Sequence, residues 1–389
     1  MNKDKYVFAQ MVEFLDNYKF LRIVKKYDGN KYVKHFTCWN QLLTLIFGQL
    51  CNRESLRDLI VALNAHQEKC YHLGVGKHVT RSNLAKANEN RNYHIFEDFA
   101  FYMISEARKK RINDIFKLNG NVYAFDSTTI DLCLKLFPWA NFRTHKGGVK
   151  IHTLYDVETQ VPAFIHITEA KINDVKAMDV IPYESGSFYV FDRANDYHRL
   201  YKIHMMDSFF VVRAKTNIKA KVLKWKRRLP KNIQSDCEIE LTGFYTQKSY
   251  PETIRLVRFW DEEDEREFIY LTNAKHIQAL QVAELYKNRW QVELFFKWLK
   301  QHLKIKKFWG TSENAVKIQV YSAIIAYCLV AIMQHDMKLD RSTYEVLQIL
   351  GISLTDKTPL RDLFSKTKFN DVKEQSGLDG PNLFSNYNF

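Results

Sequence analysis

The order of apolar runs along this 389-residue chain predicts an α/β fold. It should hold a mixed five-stranded sheet with flanking helices, a β-rich insertion and an α-helical N-terminal domain. Three observations carry this. Up to about residue 118 the apolar residues recur at helical spacing. After Asn119-Gly120 the runs become β-branched and aromatic, in the order three strands, helix, strand, helix, strand. Between Lys215 and His276 the pattern changes to alternating strands, and helical spacing then returns. The expected division is 1–118, 119–310 with the insertion at 216–275, and 311–389.

Composition narrows the function classes. Hydrophobic content of 46% with 14% aromatics excludes a disordered chain. A formal net charge of +14 points to a polyanionic partner, against the plainer reading of a solvated basic surface. The start, MNKDKYVFAQMVEF, has no apolar core of a signal peptide. The six cysteines form no C-x-x-C pair, as expected of reduced thiols in a cytoplasm. His66, Cys70, His72 and His78 match no standard zinc spacing. The most apolar run, Ser322 to Met333, is too short for a bilayer and is expected as a buried core helix.

In chain order, Phe36 to Leu50 and Ser55 to Leu63 read as helices. His78 to Asn83 reads as a capped entry to a polar helix that offers Arg81, Ser82, Asn83, Lys86, Asn90 and Arg91. Such a helix can lie in a DNA groove, or be an ordinary surface helix. Phe96 to Lys117 reads as a longer helix leading into the sheet. NVYAFDSTTIDL is a central strand expected to end at Asp126, with Asp131 beyond it. VKIHTLYDVETQVPAFIHITEA is a hairpin with its turn near Glu158, and Asp156 sits beside that turn. INDVKAMDVI is a short helix, and SGSFYVFDRAND is a fourth strand ending at Asp192. Asp196 stands at the start of the helix DYHRLYKIHMM, and SFFVVRAK is the fifth strand. This succession is the order of a ribonuclease-H-like core. In the insertion, CEIELTGFY, TIRLVRFW and EFIYLTNA alternate as antiparallel strands, with the acidic run Asp261 to Glu267 as a hairpin tip.

Tyr286 to Lys304, YKNRWQVELFFKWLKQHLK, has no Gly or Pro and is expected as one helix. At about 100° per residue, Leu285, Val292, Phe296, Leu299 and Leu303 form one narrow apolar stripe. Tyr286, Arg289, Glu293 and Lys300 fall beside it. A lone Glu there is more often a paired surface charge. A Glu flanked by Arg and Lys can instead hold a divalent metal while the cations hold phosphate oxygens.

The spacing of Tyr286, Arg289, Glu293 and Lys300 resembles the YREK signature of bacterial insertion-sequence transposases (insertion sequence family four). The resemblance covers about residues 118–335, and the stretch KYVKHFTCWNQLLTLIFGQL resembles the amino-terminal domain of some members. It implies a DDE transposase that cleaves transposon-end DNA and transfers strands. It implies Asp126, Asp192 and Glu293 as catalytic metal ligands for two Mg²⁺ ions, with Mn²⁺ as substitute, and Tyr286, Arg289 and Lys300 as contacts to DNA phosphates. It also implies double-stranded DNA as partner (terminal inverted repeats and target), a homodimer in the end complex, and a base stacked on a Trp of the insertion, Trp260 or Trp225. Two rivals stand beside this reading. One is a nuclease of the same fold that cuts without joining; the other is a non-catalytic DNA-binding protein, against which the intact acids argue.

Overall fold

In the computed structural model, residues 4–365 are described except 77–78, 112–115, 144–145, 194–195, 216, 303–306 and 342. His78, Leu303, Lys304 and the polar tail therefore lie outside the described residues. The N-terminal part is helical: α1 (Val7–Val12), α2 (Asn17–Lys26), α3 (Cys38–Leu50), α4 (Leu56–Ala65), α5 (Gln67–Cys70), α6 (Arg81–Asn90) and α7 (His94–Lys110). Helix α3 starts where sequence chemistry places it, at a Thr37/Asn40 capping box, and α6 at Thr80, whose hydroxyl accepts from Asn83 N. Helix α7 stops at Lys110 and does not run on to Lys117.

The strands are β1 (Val122–Leu132), β2 (Asn141–Arg143), β3 (Lys146–Asp156), β4 (Val161–Glu169), β5 (Phe188–Arg193), β6 (Phe209–Arg213), β7 (Ala220–Trp225), β8 (Ile233–Leu241), β9 (Ile254–Asp261) and β10 (Arg266–Thr272). The remaining helices are α8 (Asp174–Ala177), α9 (Tyr197–Met205), α10 (Phe244–Ser249), α11 (Ala279–Lys287), α12 (Trp290–His302), α13 (Glu313–Asp336), α14 (Thr343–Ser353) and α15 (Leu360–Phe364).

All five expected core strands form, in the spatial order β4-β3-β1-β5-β6, with β1, β5 and β6 parallel to one another. The sheet does not end there. Strand β10 pairs antiparallel with β6, and β9, β8 and β7 follow, so one sheet of ten strands includes the insertion. The alternating runs read as a separate β unit are the outer half of the same sheet. The expected alternating runs are β8, β9 and β10; the edge strand β7, exposed along nearly its whole length, is not among them.

Side-chain alternation divides the sheet into two faces. Val122, Ala124, Val190 and Val211 enter a core shared with α3, α7, α11, α12 and α13. Tyr123, Phe125, Phe191 and Val212 enter a second core with the 174–181 segment and α9. Helix α13 is apolar all round and its 24 residues include a stretch long and apolar enough to cross a membrane, yet that stretch is 94% buried. The burial agrees with the expected core helix; its length exceeds the Ser322–Met333 run from which it was read.

Candidate active site

Asp126 does not end β1. The strand continues to Leu132, so Asp131 also lies within it. What ends near Asp126 is the pairing on one side. Strand β1 stays on β3 through Leu132, but its parallel pairing with β5 stops at Ala124–Val190. Asp126 thus sits just past the point where two parallel strands part. Asp192 is the next-to-last residue of β5, between Phe191 and Arg193, where the register to β6 shifts. Such an irregularity re-aims a side chain. By alternation Asp126 and Asp192 both belong to the face covered by α11 and α12.

The expected single helix is two helices. The break is at Asn288-Arg289: Asn288 N makes the last i to i−4 bond, to Glu284 O at 3.1 Å with Asn288 Nδ2 beside it at 2.9 Å, and the next bonds are i to i−3, Arg289 N to Tyr286 O at 3.0 Å and Val292 N to Arg289 O at 3.2 Å. Tyr286 therefore lies in the last turn of α11, Arg289 stands in the turn between the helices, and Glu293 and Lys300 lie on α12. Glu293 falls in the first turn of α12, where the helix dipole favours a carboxylate. The apolar stripe holds across the break: Leu285, Val292, Phe296 and Leu299 are all buried.

These side chains meet. Arg289 Nη1 donates to Asp126 Oδ2 at 3.2 Å, and its Nη2 donates to Glu293 Oε1. Tyr286 OH donates to Asp192 O at 2.9 Å and lies 3.3 Å from Asp192 Oδ1. Burial raises the Asp126 carboxyl above its usual range; the Ser127 N–H and Arg289 oppose this, while Glu293 and Asp174 add to it. Burial and the neighbouring Asp192 push the Tyr286 phenol up to about 12. Lys300 is half-buried on α12.

Among the described residues no three acids, histidines or cysteines are drawn together tightly enough to form a ready metal cluster. The donor set nevertheless fits a hard divalent cation. It consists of carboxylate oxygens, and a cationic guanidinium already bridges two of them.

Sequence reasoning missed Asp174 at the start of α8. It lines a cavity of about 140 Å³ with Asp126, Asp192 and Asp196. The Ser127 hydroxyl, the His152 ring and Lys150 surround its carboxylate; burial pushes its acidity down, but they outweigh it and hold the group at about 2. Only the Asn173-Asp174 helix-start signal marked it in the sequence. Trp290, 48% exposed, was also missed. It lines a cleft of about 570 Å³ with Asp192, Tyr286 and Arg289, between β9–β10 and α11–α12. Trp225 and Trp260 do not line that cleft. Asp156 and Asp196 behave as expected. Asp156 is buried, pairs with Arg108 at 2.9 Å and accepts from the turn N–H groups of Glu158 and Thr159. Asp196 caps α9.

On α6, Arg81, Ser82, Asn83 and Lys86 are exposed. Arg91 is not. Its guanidinium donates to Thr37 O (2.9 Å), Gln41 Oε1 (2.8 Å) and Phe36 O, so it ties the helical domain together.

Residues 118–329 match the family described as the transposase DDE domain, and residues 3–76 match a domain of unknown function (DUF4372). A protein of Sinorhizobium fredii named as transposase y4zB is 33% identical over 61% of this chain and 67% of its own length. A Geobacillus stearothermophilus protein named as transposase for insertion sequence element IS5377 is 30% identical over 64% of this chain and 66% of its own. One from Synechocystis, named as transposase for insertion sequence element IS4SA, is 28% identical over 79% of this chain and 84% of its own. With a domain match over more than half its length and a 33% identical relative covered over 67%, the chain belongs to the DDE transposase family.

Proposed function

We propose that this chain is the transposase of an insertion sequence of the YREK type, cutting transposon-end DNA and joining it to a target. The observation that carries the reading is the convergence of Arg289 with Asp126 and Glu293, while Tyr286 of the same signature holds Asp192. Two of the four signature residues, Tyr286 and Arg289, thereby contact the two strand acids, and Arg289 links a third, Glu293, to Asp126.

The family works with divalent metal, and here Asp126, Asp192 and Glu293 would hold it, with Mg²⁺ as the ion. When bound, such ions supply Lewis acidity at the attacking and leaving oxygens of a phosphodiester. The chain's own residues do the rest. Arg289 offers a planar fork suited to a phosphate, and Lys300 a point charge. Tyr286 fixes the backbone and carboxylate of Asp192. Trp290 supplies an exposed aromatic face at the cleft, a better-placed stacking partner for a base than Trp260 or Trp225.

The order β4-β3-β1-β5-β6 in one half of the ten-stranded sheet supports reading that half as a ribonuclease-H-like core. DNA contact is supported by residues 215–231, KTNIKAKVLKWKRRLPK, which carry eight Lys and Arg and no acid. Lys219, Lys221, Lys224, Arg227 and Arg228 are exposed on and beside edge strand β7. We assign residues 1–118 to end binding, 119–310 to catalysis and 311–389 to supporting the core, in a cytoplasmic protein that pairs as a homodimer on two ends.

The test is a strand-transfer assay with the element's own ends. Asp126→Asn, Asp192→Asn and Glu293→Gln should each abolish nicking and joining while end binding persists. Near-wild-type cleavage by one variant removes that residue from the site, and cleavage without joining by the wild type favours the nuclease reading.

A further inference from the structure

Asp126 has its two carboxylate oxygens held differently. Oδ2 takes Arg289, whose place a metal cation can take while the guanidinium turns to a phosphate. Oδ1 accepts the peptide N–H of Ser127 at 2.7 Å, a contact internal to β1. The position of that peptide therefore sets the direction of the carboxylate. It needs an anchor, because β1 has already lost its β5 neighbour at Ala124.

The anchor lies on the other side of the sheet. Ser127 Oγ donates to Asp174 Oδ1 at 2.5 Å. Asp174 Oδ1 is in turn 3.1 Å from Nδ1 of His152, whose side chain is fully buried, and 3.5 Å from Lys150 Nζ. His152 is fixed through Nε2 to Thr168 Oγ1 at 3.0 Å, and Lys150 through Ile172 O at 2.9 Å. Register places Ser127 opposite His152 and Thr129 opposite Lys150, so this network shares one face. That is the face of Phe125 and α9. Asp126, the adjacent residue, presents to the opposite face, where α12 brings Glu293.

We propose that Asp174 is a positioning residue: through the Ser127 hydroxyl it fixes the peptide that aims Asp126, and so tunes cation binding from across the sheet. Asp174 borders one cavity with Asp126 and Asp192, but its Oδ1 is already engaged by Ser127, His152 and Lys150, which disfavours a direct ligand role. Outer partners of ligating carboxylates commonly carry a 10–100-fold share of metal affinity.

The inference rests on Asp126 holding metal, and the experiment separates the two. Full-length chain is titrated with Mn²⁺ and the bound ion followed by its magnetic resonance signal, alongside nicking rate and melting midpoint. Ser127→Ala and Asp174→Asn should each weaken Mn²⁺ about tenfold, and the double variant should be no weaker than the worse single one, since both cut one relay. Ser127→Thr, which keeps the hydroxyl, should restore affinity, and this comparison stands even if Asp174→Asn folds poorly. A silent Ser127→Ala beside a severe Asp174→Asn would make Asp174 a ligand and overturn the relay, as would additive losses in the double variant. If Asp126→Asn leaves Mn²⁺ affinity unchanged, the reading of the site fails and the relay with it.

Discussion

Arg289 and Asp126, 163 positions apart in sequence, are joined by a 3.2 Å hydrogen bond, and the same guanidinium reaches Glu293 one helical turn on. The cation expected to meet a DNA phosphate thus rests between two acids expected to meet metal. A guanidinium cannot ligate a metal cation, so it competes with one for these oxygens.

This gives opposite expectations for two readouts. In Arg289→Ala, Mn²⁺ affinity should hold or rise, because a competitor is gone, while end cleavage falls roughly 10- to 100-fold with the loss of a charge-assisted phosphate contact. Arg289→Lys should recover cleavage only in part, since the fork is lost. Lys300→Ala should likewise slow cleavage with metal binding intact. A collapse of Mn²⁺ affinity in either alanine variant would make these cations supports of Glu293 instead.

A second expectation concerns how the outer sheet is tied to the site. Asp236 on β8 and Arg255 on β9 form a buried bidentate pair, with both bonds at 2.8 Å and both side chains 4% exposed. Arg255 also donates to Ala274 O and Ile277 O, just ahead of α11, the helix that carries Tyr286. Asp236→Ala leaves that guanidinium buried without its anion, a loss of about 3–5 kcal/mol that a lowered melting midpoint should report. Burial raises the Asp236 carboxyl, but Arg255 and Lys226 outweigh it and leave the group below its usual range. A depressed folded value means its stabilisation is present above the unfolded value, about 4, and is lost as pH falls through the folded one. The wild type should therefore lose more stability on acidification below about pH 4 than Asp236→Ala does. Parallel acid curves for the two proteins would refute this.

Legibility in the sequence followed the range of the interactions. The core strands could be read because apolar runs are local signals; Asp192 lies near the end of its run, whereas β1 continues past Asp126 to Leu132. The signature side chains could be read because i to i+4 spacing holds across a single turn of irregular helix, as the Arg289–Glu293 pair shows. The break at Asn288 could not, since helix propensity is good on both sides and the change from i−4 to i−3 bonds leaves no sequence mark. The extent of the sheet was hidden because β10 joins β6 through backbone bonds that carry no sequence mark. Asp174 was hidden for a similar reason: Ser127 and His152, which give it meaning, are distant in sequence and meet only through the β1–β3 register.

The last expectation is for end binding through α6. Its exposed Arg81, Ser82, Asn83 and Lys86 stand clear of the protein, whereas Arg91 is spent on Thr37, Phe36 and Gln41. Asn83, Lys86 and Asn90 also border a cavity of about 660 Å³ shared with Lys31, Tyr32 and His35, so α6 and the loop after α2 offer one cationic, polar surface. Helices α3 and α7 bury apolar side chains in the same core as α13, so an isolated N-terminal fragment would expose that face; the full chain is the right object. Each lost phosphate contact should reduce the slope of log affinity against log salt by about 0.9 on duplex DNA. Arg81→Ala with Lys86→Ala should therefore flatten the slope by nearly two, weakening end and random DNA alike, while Asn83→Ala should weaken end DNA selectively if it reads a base edge. Arg91→Ala should leave the slope unchanged but lower the melting midpoint, because the Thr37 and Phe36 carbonyls lose their donor. An unchanged slope in the Arg81/Lys86 double variant would move end binding away from α6, to the basic edge around β7.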